Sequence, residues 1–177
     1  GVDSAFRRAI NSADSALLNN GGTNAPRVAN LAAVVKGRAL LNRAQYAAAA
    51  TAVAAVPTSF VYQDTHSDAS GSNQIWALNT SAKRYVVADN EGGNGLPFRS
   101  ANDPRLPTAV GGNAFDANTP FVRTTLWAKN DPITIVSGVE ARLIEAEAAL
   151  KADNFSLFVS KLNDARATNT SLAPLTD

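Results

Sequence analysis

The chain has 177 residues, 45% hydrophobic and 18% charged, with a formal net charge of +1. This composition is typical of a globular protein and gives no electrostatic bias toward nucleic acid or an anionic membrane. Cysteine is absent, which excludes disulfides, thiolate zinc sites and thiol nucleophiles, and any histidine-based metal site or triad would depend on His66 alone. No run of about 18 apolar residues predicts a membrane span. No glycine-rich phosphate loop follows a predicted strand, so we expect no cofactor.

Helical periodicity occurs in three segments at the start of the chain. The Asn-Asn-Gly-Gly run at 19–22 is a strong stop signal, Pro26 suits a first helical turn, and Pro57 ends an alanine-rich segment. The sequence therefore predicts helices over residues 3–19, 26–43 and 46–56.

The amino-acid composition changes between residues 57 and 136, where glycine, asparagine, aspartate, serine and proline dominate. This stretch lacks helical periodicity and is far longer than an ordinary loop, which is typical of a functional insertion or a packed irregular region. Short runs with β-like patterns predict strands within it at residues 59–62, 74–78, 84–88 and 121–127.

Two further helices are predicted over residues 137–151 and 154–168. The first carries two apolar stripes, which indicates packing on two sides; its members are Val139, Leu143, Ala146 and Leu150 in one stripe and Ala141, Ile144 and Ala148 in the other. Glu140 and Glu147 lie between the stripes, so we expect them to be half-buried and partnered. Arg142 and Glu145 are predicted to face the opposite way.

The glutamates of this helix do not form a catalytic pair. Glu140 and Glu147 share a face but lie roughly 10 Å apart along the helix axis, whereas two carboxylates that act on one bond must approach more closely or be joined by another element. Ser137 followed by Glu140 predicts a capping box at the start of the helix. We therefore interpret the helix as scaffold.

An internal repeat joins the two ends of the chain. When the sequence is aligned with itself at an offset of 109 positions, the segment from Lys36 aligns with the segment from Glu145, and Tyr46 aligns with Phe155. In each copy a small-residue helix runs into a short turn, and an aromatic residue then opens a second helix. This pattern is typical of tetratricopeptide-like hairpins, in which small residues allow close helix approach.

With the elements in this order, the chain resembles the SusD/RagB-type proteins, the outer-membrane nutrient-binding lipoproteins of Bacteroidetes-like bacteria. VEARLIEAEAAL (139–150) is similar to a family helix of the form RLAE followed by AEA, and LNDARATN (162–169) to the stretch after it. The Asp-Pro-Arg of residues 103–105 resembles a family loop element, and GRALLNRAQYAAAATAVAAV (37–56) resembles the earlier tetratricopeptide-like hairpin.

The resemblance implies a mainly α fold, with tetratricopeptide-like helical hairpins and a long irregular insertion that contains short β segments. We expect one domain, 1–177, in which residues 1–56 and 137–168 form the scaffold and residues 57–136 the insertion. The resemblance is to the middle part of the family's sequences, so the chain is expected to be a fragment of a longer protein. The lipid anchor of that protein would lie outside these residues.

The function implied by the resemblance is non-catalytic capture of extracellular glycan or oligosaccharide and its delivery to a SusC-like, TonB-dependent transporter at the outer membrane. Such a site needs flat aromatic faces for sugar C–H groups, and amides and arginine for the hydroxyls. The insertion supplies these residue types. The candidate ligand-binding residues are Tyr85, Arg84, Asn94, Phe98 and Trp127.

Other residues of the insertion have structural interpretations. Trp76 lies in an alternating pattern and is expected to pack, while Asp103 and Arg105 are expected to lock a turn initiated by Asp-Pro. His66, in Asp-Thr-His-Ser-Asp, is predicted to lie in a solvated turn rather than in a metal or catalytic cluster.

Two other functions remain open from the residues alone. One is a helical-repeat protein–protein interaction module without sugar binding. The other is a glycan-active enzyme, which would need two converging carboxylates. The loop carboxylates Asp89, Glu91, Asp103 and Asp116 are available, but no spacing singles out a pair, so we expect no catalytic residues and no enzyme.

Overall fold

The computed structural model describes residues 1–90 and 95–176. They form a mainly helical chain with a few short strands, as the sequence predicts. The chain divides into two compact units. We call Gly1–Gln63 with Thr134–Asp177 the helical unit, and Asp64–Ile133 the loop unit. The predicted insertion, 57–136, begins before the loop unit and ends after it.

The elements follow one another in this order: α1 (Val2–Leu18), α2 (Ala25–Leu41), α3 (Tyr46–Val53), β1 (Val61–Asp64), α4 (Gln74–Trp76), a π-helical turn (Ala77–Ser81), β2 (Thr108–Asn113), β3 (Pro120–Thr124), β4 (Ile133–Ser137), α5 (Gly138–Lys151) and α6 (Phe155–Arg166). The five predicted helices are confirmed, although α3 ends before the predicted boundary. Among the helices of the described residues, none has the length and apolarity that a membrane crossing requires.

The core of the helical unit lies where α2, α3, β4 and α5 meet. Its buried residues are Val34, Leu40, Ala49, Val53, Val56, Val136, Ala141 and Ile144. Gly37 lies buried where α2 crosses α3, and a β-carbon at this position would collide with the Val53 side chain. The crossing therefore depends on a residue without a side chain.

The turn between α2 and α3 and the turn between α5 and α6 have the same backbone hydrogen-bond register. The amide of Gln45 donates to the carbonyl of Leu40 at 3.0 Å, and the amide of Asn154 donates to the carbonyl of Ala149 at 2.9 Å. The two donor residues are 109 positions apart in sequence, and so are the two acceptor residues, which is the offset of the sequence repeat. This bond satisfies a carbonyl at the end of the first helix of each pair.

The start of α5 follows the sequence prediction in part: Ser137 is the N-cap, but the Glu140 carboxylate that was expected to complete a capping box binds Arg38. The Ser137 hydroxyl accepts a hydrogen bond from the Glu140 amide at 3.2 Å, which is the expected N-cap. Glu140 and Glu147 are half-buried as predicted. Glu140 binds Arg38 of α2 through two parallel bonds, Nε to Oε1 at 2.6 Å and Nη2 to Oε2 at 2.7 Å. This fork geometry joins α2 to α5.

The predicted orientation of the rest of α5 is partly wrong. Leu143, assigned to an apolar stripe, is 47% exposed, while Arg142 is buried with 8% exposure. The reason is tertiary: Arg142 Nη2 donates to the carbonyls of Val53 at 3.3 Å and Val56 at 3.0 Å, at the end of α3. A guanidinium is favourable there because the last carbonyls of a helix carry partial negative charge and lack partners.

Two two-stranded sheets are present in the described residues, β1 with β4 and β2 with β3. β2 and β3 are antiparallel, with Thr108 opposite Thr124 and an irregularity between Val110 and Asn113. The predicted strand at 59–62 begins later, at Val61, and the one at 121–127 ends earlier. β2 and β4 were not predicted.

Two predicted strands are wrong. Residues 74–78 are helical, and residues 84–88 form no strand. Asn73 explains the first error: its buried side chain accepts a hydrogen bond from the Trp76 amide at 2.9 Å and donates to the Asp131 carbonyl at 2.9 Å. An asparagine N-cap of this kind starts a helix and overrides an alternating pattern.

Candidate functional site

A concavity of about 330 Å³ lies in the loop unit beside the β2–β3 hairpin. Its most distinctive feature is a stacked pair, in which the guanidinium carbon of Arg84 lies 4.1 Å from the centre of the Phe115 ring. We call this feature the Arg84–Phe115 concavity. The residues that line it are Lys83, Arg84, Val86, Ala114, Phe115, Asp116 and Thr119.

Backbone hydrogen bonds hold the two walls of this concavity together. The Phe115 amide donates to the Lys83 carbonyl at 3.1 Å, and the Val87 amide donates to the Val122 carbonyl of β3 at 2.8 Å. The buried Asn79 side chain donates to the Tyr85 carbonyl at 2.9 Å. The segment that carries Arg84 is therefore fixed at three points although it forms no strand.

The tip of the hairpin is locked by Asp116. Its carboxylate accepts hydrogen bonds from the Thr119 hydroxyl at 2.5 Å, the Thr119 amide at 2.9 Å and the Asn118 amide at 3.1 Å. The bond from the Thr119 hydroxyl is the main cause that lowers the pKa of Asp116 below its ordinary value. Asp116 therefore stays ionised and its oxygens are occupied within the turn.

Two cations line this concavity, and among residues 1–90 and 95–176 neither has an ion-pair partner. Within the described ranges, no carboxylate oxygen lies within 4.0 Å of the side-chain nitrogens of Lys83 or Arg84. Each cation instead lies over an aromatic ring, Arg84 over Phe115 and Lys83 over Phe121 at 5.5 Å. Contacts of this kind orient a cation while leaving its N–H donors available.

A second concavity, of about 390 Å³, contains Phe98, and we call it the Phe98 concavity. Its walls are mostly apolar and are formed by Leu96, Pro97, Phe98, Ala101, Asp103, Arg105 and Leu106. Arg105 Nη2 bonds Asp103 Oδ2 at 2.6 Å and Arg105 Nε bonds Asp103 Oδ1 at 2.9 Å, which confirms the predicted turn lock.

Asp89 anchors the segment that forms this second concavity, because it binds Arg99 and Ser100. Its carboxylate accepts hydrogen bonds from the amides of Ser100 at 2.7 Å and Arg99 at 2.9 Å, and Arg99 Nη2 lies 3.0 Å from it. The Ser100 amide is the main cause that lowers the pKa of Asp89. Asp89, like Asp116, is an ionised structural residue.

The sequence-predicted site residues do not all meet in one place. Arg84 lines the first concavity and Phe98 the second. Tyr85 is 58% exposed and Trp127 is half-buried, and neither lines either concavity. Asn94 lies outside the described residues.

Sequence reasoning missed the residues that complete the first concavity. Phe115 is 66% exposed and lies in Gly-Gly-Asn-Ala-Phe-Asp-Ala-Asn-Thr, between β2 and β3. The predicted contact Phe98 also follows an Asn/Gly-rich segment, so the same pattern could have indicated Phe115. Lys83 gave no signal in the sequence.

His66 differs from its prediction. Its side chain is only 12% exposed, so a solvated turn is wrong, and its Nε2 lies 3.9 Å from Asp64 Oδ2. Across residues 1–90 and 95–176, no group of three or more metal-binding side chains comes together.

The loop carboxylates are not arranged as a catalytic pair in the described residues. Asp89, Asp103 and Asp116 each bind donors of their own neighbourhood. Glu91 lies outside the described residues.

No protein-family model matches the chain, and comparisons with curated proteins and with solved structures gave no significant match.

Proposed function

We propose that this chain is part of a non-catalytic receptor that binds extracellular glycans, of the SusD/RagB type, and passes them to a TonB-dependent transporter at the outer membrane. In the full-length protein a lipid anchor would hold the receptor at the membrane. The helical unit is the frame in this proposal, and the loop unit is the recognition surface.

The Arg84–Phe115 stack carries the proposal. Arg84 covers one side of the Phe115 ring, yet Phe115 remains 66% exposed at the wall of a concavity. A sugar ring can pack its C–H groups on such an exposed ring while the neighbouring guanidinium donates to its hydroxyls. An aromatic face beside a few fixed polar donors in a concavity is the composition expected of a small-ligand site.

The state of the carboxylates favours binding over hydrolysis. A general acid for glycoside cleavage must keep its proton near neutral pH, which requires a raised pKa. The pKa values of Asp89 and Asp116 are instead lowered, each by hydrogen bonds from its own turn. Asp103 is held in a two-bond pair with Arg105. These carboxylates suit turn stabilisation better than proton transfer.

The tetratricopeptide-like character of the frame is also part of the proposal. α2 with α3 and α5 with α6 are pairs of neighbouring helices joined by turns of the same register. Tyr46 and Phe155 each open the second helix of a pair. Equivalent turns should be interchangeable. Exchanging residues 42–45 with 151–154 should therefore leave the helical circular dichroism and cooperative unfolding intact, and a loss of both would contradict the repeat.

Isothermal titration against a panel of oligosaccharides tests the receptor proposal. We expect binding by the wild type and a clear loss in Phe115→Ala, because the stacking surface is removed. Phe155→Ala is the matched control, since Phe155 is an equally exposed phenylalanine of the helical unit, with 60% exposure. Equal binding by the wild type and Phe115→Ala, or turnover of any glycan, would contradict the proposal. Tyr85→Ala and Trp127→Ala locate the remaining predicted contacts.

A protein-docking function is the alternative, and one observation favours it. The outer sides of α5 and α6 leave large apolar side chains exposed, at Leu143 (47%), Leu150 (38%), Phe155 (60%) and Leu157 (42%). Binding to a purified TonB-dependent transporter, abolished by Leu143→Ser with Phe155→Ser, would support a docking face. If that transporter binds while every glycan of the panel fails, the interaction module is the better description.

A further inference from the structure

We infer that the Arg84–Phe115 concavity selects sugars that carry an anionic group, a carboxylate or a sulfate, and that Lys83 and Arg84 are the residues that read this charge. The inference rests on the proposed glycan-binding function and adds the chemical class of the ligand.

The first support is electrostatic. Lys83 and Arg84 are adjacent in sequence and both line the concavity, and in the described part of the chain neither has a carboxylate within 4.0 Å. Unpaired cations on one wall attract an anion more strongly than they attract a neutral sugar. Two other arginines of the loop unit do have carboxylate partners: Arg99 is paired with Asp89, and Arg105 with Asp103.

The acidic residue of the same concavity offsets only part of this charge, because Lys83 and Arg84 carry two positive charges against the one negative charge of Asp116. Asp116 is occupied by three donors of its own turn, the Thr119 hydroxyl and the amides of Thr119 and Asn118. It therefore shapes the hairpin tip, while Lys83 and Arg84 keep their donors for a ligand.

The second support is conformational. Lys83 has a φ of 52°, in the left-handed region, where a lysine has no side-chain hydrogen bond of its own to compensate the steric cost. Asparagine or glycine would occupy this position more favourably. In this backbone the Lys83 carbonyl accepts a hydrogen bond from the Phe115 amide at 3.1 Å. The chain turns here, so that Lys83 lies over the Phe121 ring and Arg84 over the Phe115 ring. The left-handed turn at Lys83 therefore fixes the position of both cations at the wall of the concavity.

The size of the charged group also restricts the ligand. Two cations and one concavity of about 330 Å³ suit a single anionic sugar unit. A nucleic acid would need a longer basic surface, because its affinity comes from neutralising many phosphates. An acidic oligosaccharide is therefore the class that the charges and the volume fit together.

Lys83→Asn separates recognition from stability. Asparagine removes the cation but tolerates the left-handed backbone better than lysine, so the melting temperature should stay the same or rise. Arg84→Gln removes the second cation. Arg8→Gln, at an exposed position of α1, is the matched control for loss of one positive charge.

The experiment compares three sets of oligosaccharides of equal length by isothermal titration: neutral, uronate-containing and sulfated. We expect the wild type to prefer one or both anionic sets. Lys83→Asn should weaken that binding about tenfold, the loss expected for one charge-assisted contact. Lys83→Asn should weaken the binding of neutral sugars less than that of anionic ones, and Arg8→Gln should bind all three sets as the wild type does. Raising the salt concentration from about 0.01 M to about 0.15 M should weaken only the anionic sets, because it shortens the screening length.

The possible outcomes distinguish the two proposals. If neutral and anionic sugars bind equally, or if Lys83→Asn and Arg84→Gln bind anionic sugars as the wild type does, the charge inference is overturned while the receptor function stands. If no sugar binds, the receptor function fails and the inference with it. Whichever anionic set binds more tightly identifies carboxylate or sulfate as the group recognised.

Discussion

Ala44 and Asp153 lie 109 positions apart and adopt the same left-handed backbone, with φ of 56° and 54°. Each follows the first helix of a pair, in the turn whose hydrogen-bond register is shared. A left-handed residue at this point ends a helix and redirects the chain. Neither residue is glycine, so both turns keep a steric cost that the sequence alone does not reveal.

Ala44→Gly should therefore stabilise the protein. Alanine in the left-handed region costs about 1 kcal/mol, part of which glycine loses again through greater freedom of the unfolded chain, so we expect a gain of about 0.5–1 kcal/mol. Urea denaturation measures it. Ala47→Gly, in the exposed face of α3, is the control and should destabilise by about 1 kcal/mol. A loss at position 44 would show that the turn is not left-handed in solution.

Arg142→Met should destabilise the helical unit by about 2–4 kcal/mol, because it leaves Glu145 and the carbonyls at the end of α3 without their partner. Arg142 Nε lies 3.0 Å from Glu145 Oε2, and Lys161 Nζ lies 3.3 Å from the same oxygen. The remaining lysine limits the loss. Arg7→Met, which breaks an exposed pair with Asp3, should leave the free energy of unfolding nearly unchanged, because solvent screens that pair.

A second variant checks the cause of the Arg142 effect. Arg142→Met with Glu145→Leu removes both charges, so part of the stability lost in the single variant should return. If the double variant loses the full sum of the two single losses, the pair does not interact.

Gly138→Ala should destabilise by about 3 kcal/mol or more, because a β-carbon would collide with the backbone carbonyls of Pro57 and Thr58. Backbone atoms cannot rotate away as a side chain can. Gly21→Ala is the matched control, since a β-carbon there meets nothing within 4 Å. Thermal unfolding of the two variants should differ clearly, and equal melting temperatures would contradict the close approach.

The lock of the hairpin tip predicts a pH dependence. The pKa of Asp116 is lowered, so its contribution to stability is complete above the ordinary value of 3.8 and is lost as the pH falls through the lower folded value. The stability difference between the wild type and Asp116→Asn should therefore be largest at neutral pH and shrink in acid. In Thr119→Val, the carboxyl of Asp116 should titrate closer to 3.8 by NMR, because its strongest donor is gone.

The sequence predicts the helices well because their periodicity, stops and caps are local. It fails where a distant group decides the outcome. Arg142 was predicted only to face away from Glu140 and Glu147, since no local pattern reveals that carbonyls of α3 lie within its reach. Residues 74–78 alternate like a strand, but the neighbouring Asn73 caps a helix there and is itself fixed by the distant Asp131 carbonyl.

The site was predictable only in part for the same reason. Residue type identified Arg84 and Phe98 as candidate contacts, and type alone could have identified Phe115. The pairing of Arg84 with Phe115 requires two segments that are thirty-one positions apart in sequence to be joined, here by the Phe115 amide and the Lys83 carbonyl. Long-range pairing of irregular segments leaves no periodic signal.

β1 pairs with β4, and these strands lie where the chain leaves the helical unit and where it returns to it. Paired strands lie about 5 Å apart, so the intervening residues begin and end almost at one point. A short turn in place of residues 65–132 should therefore leave helices that still unfold cooperatively. The loop unit can therefore vary in length and in chemistry without a change in the helices that carry it.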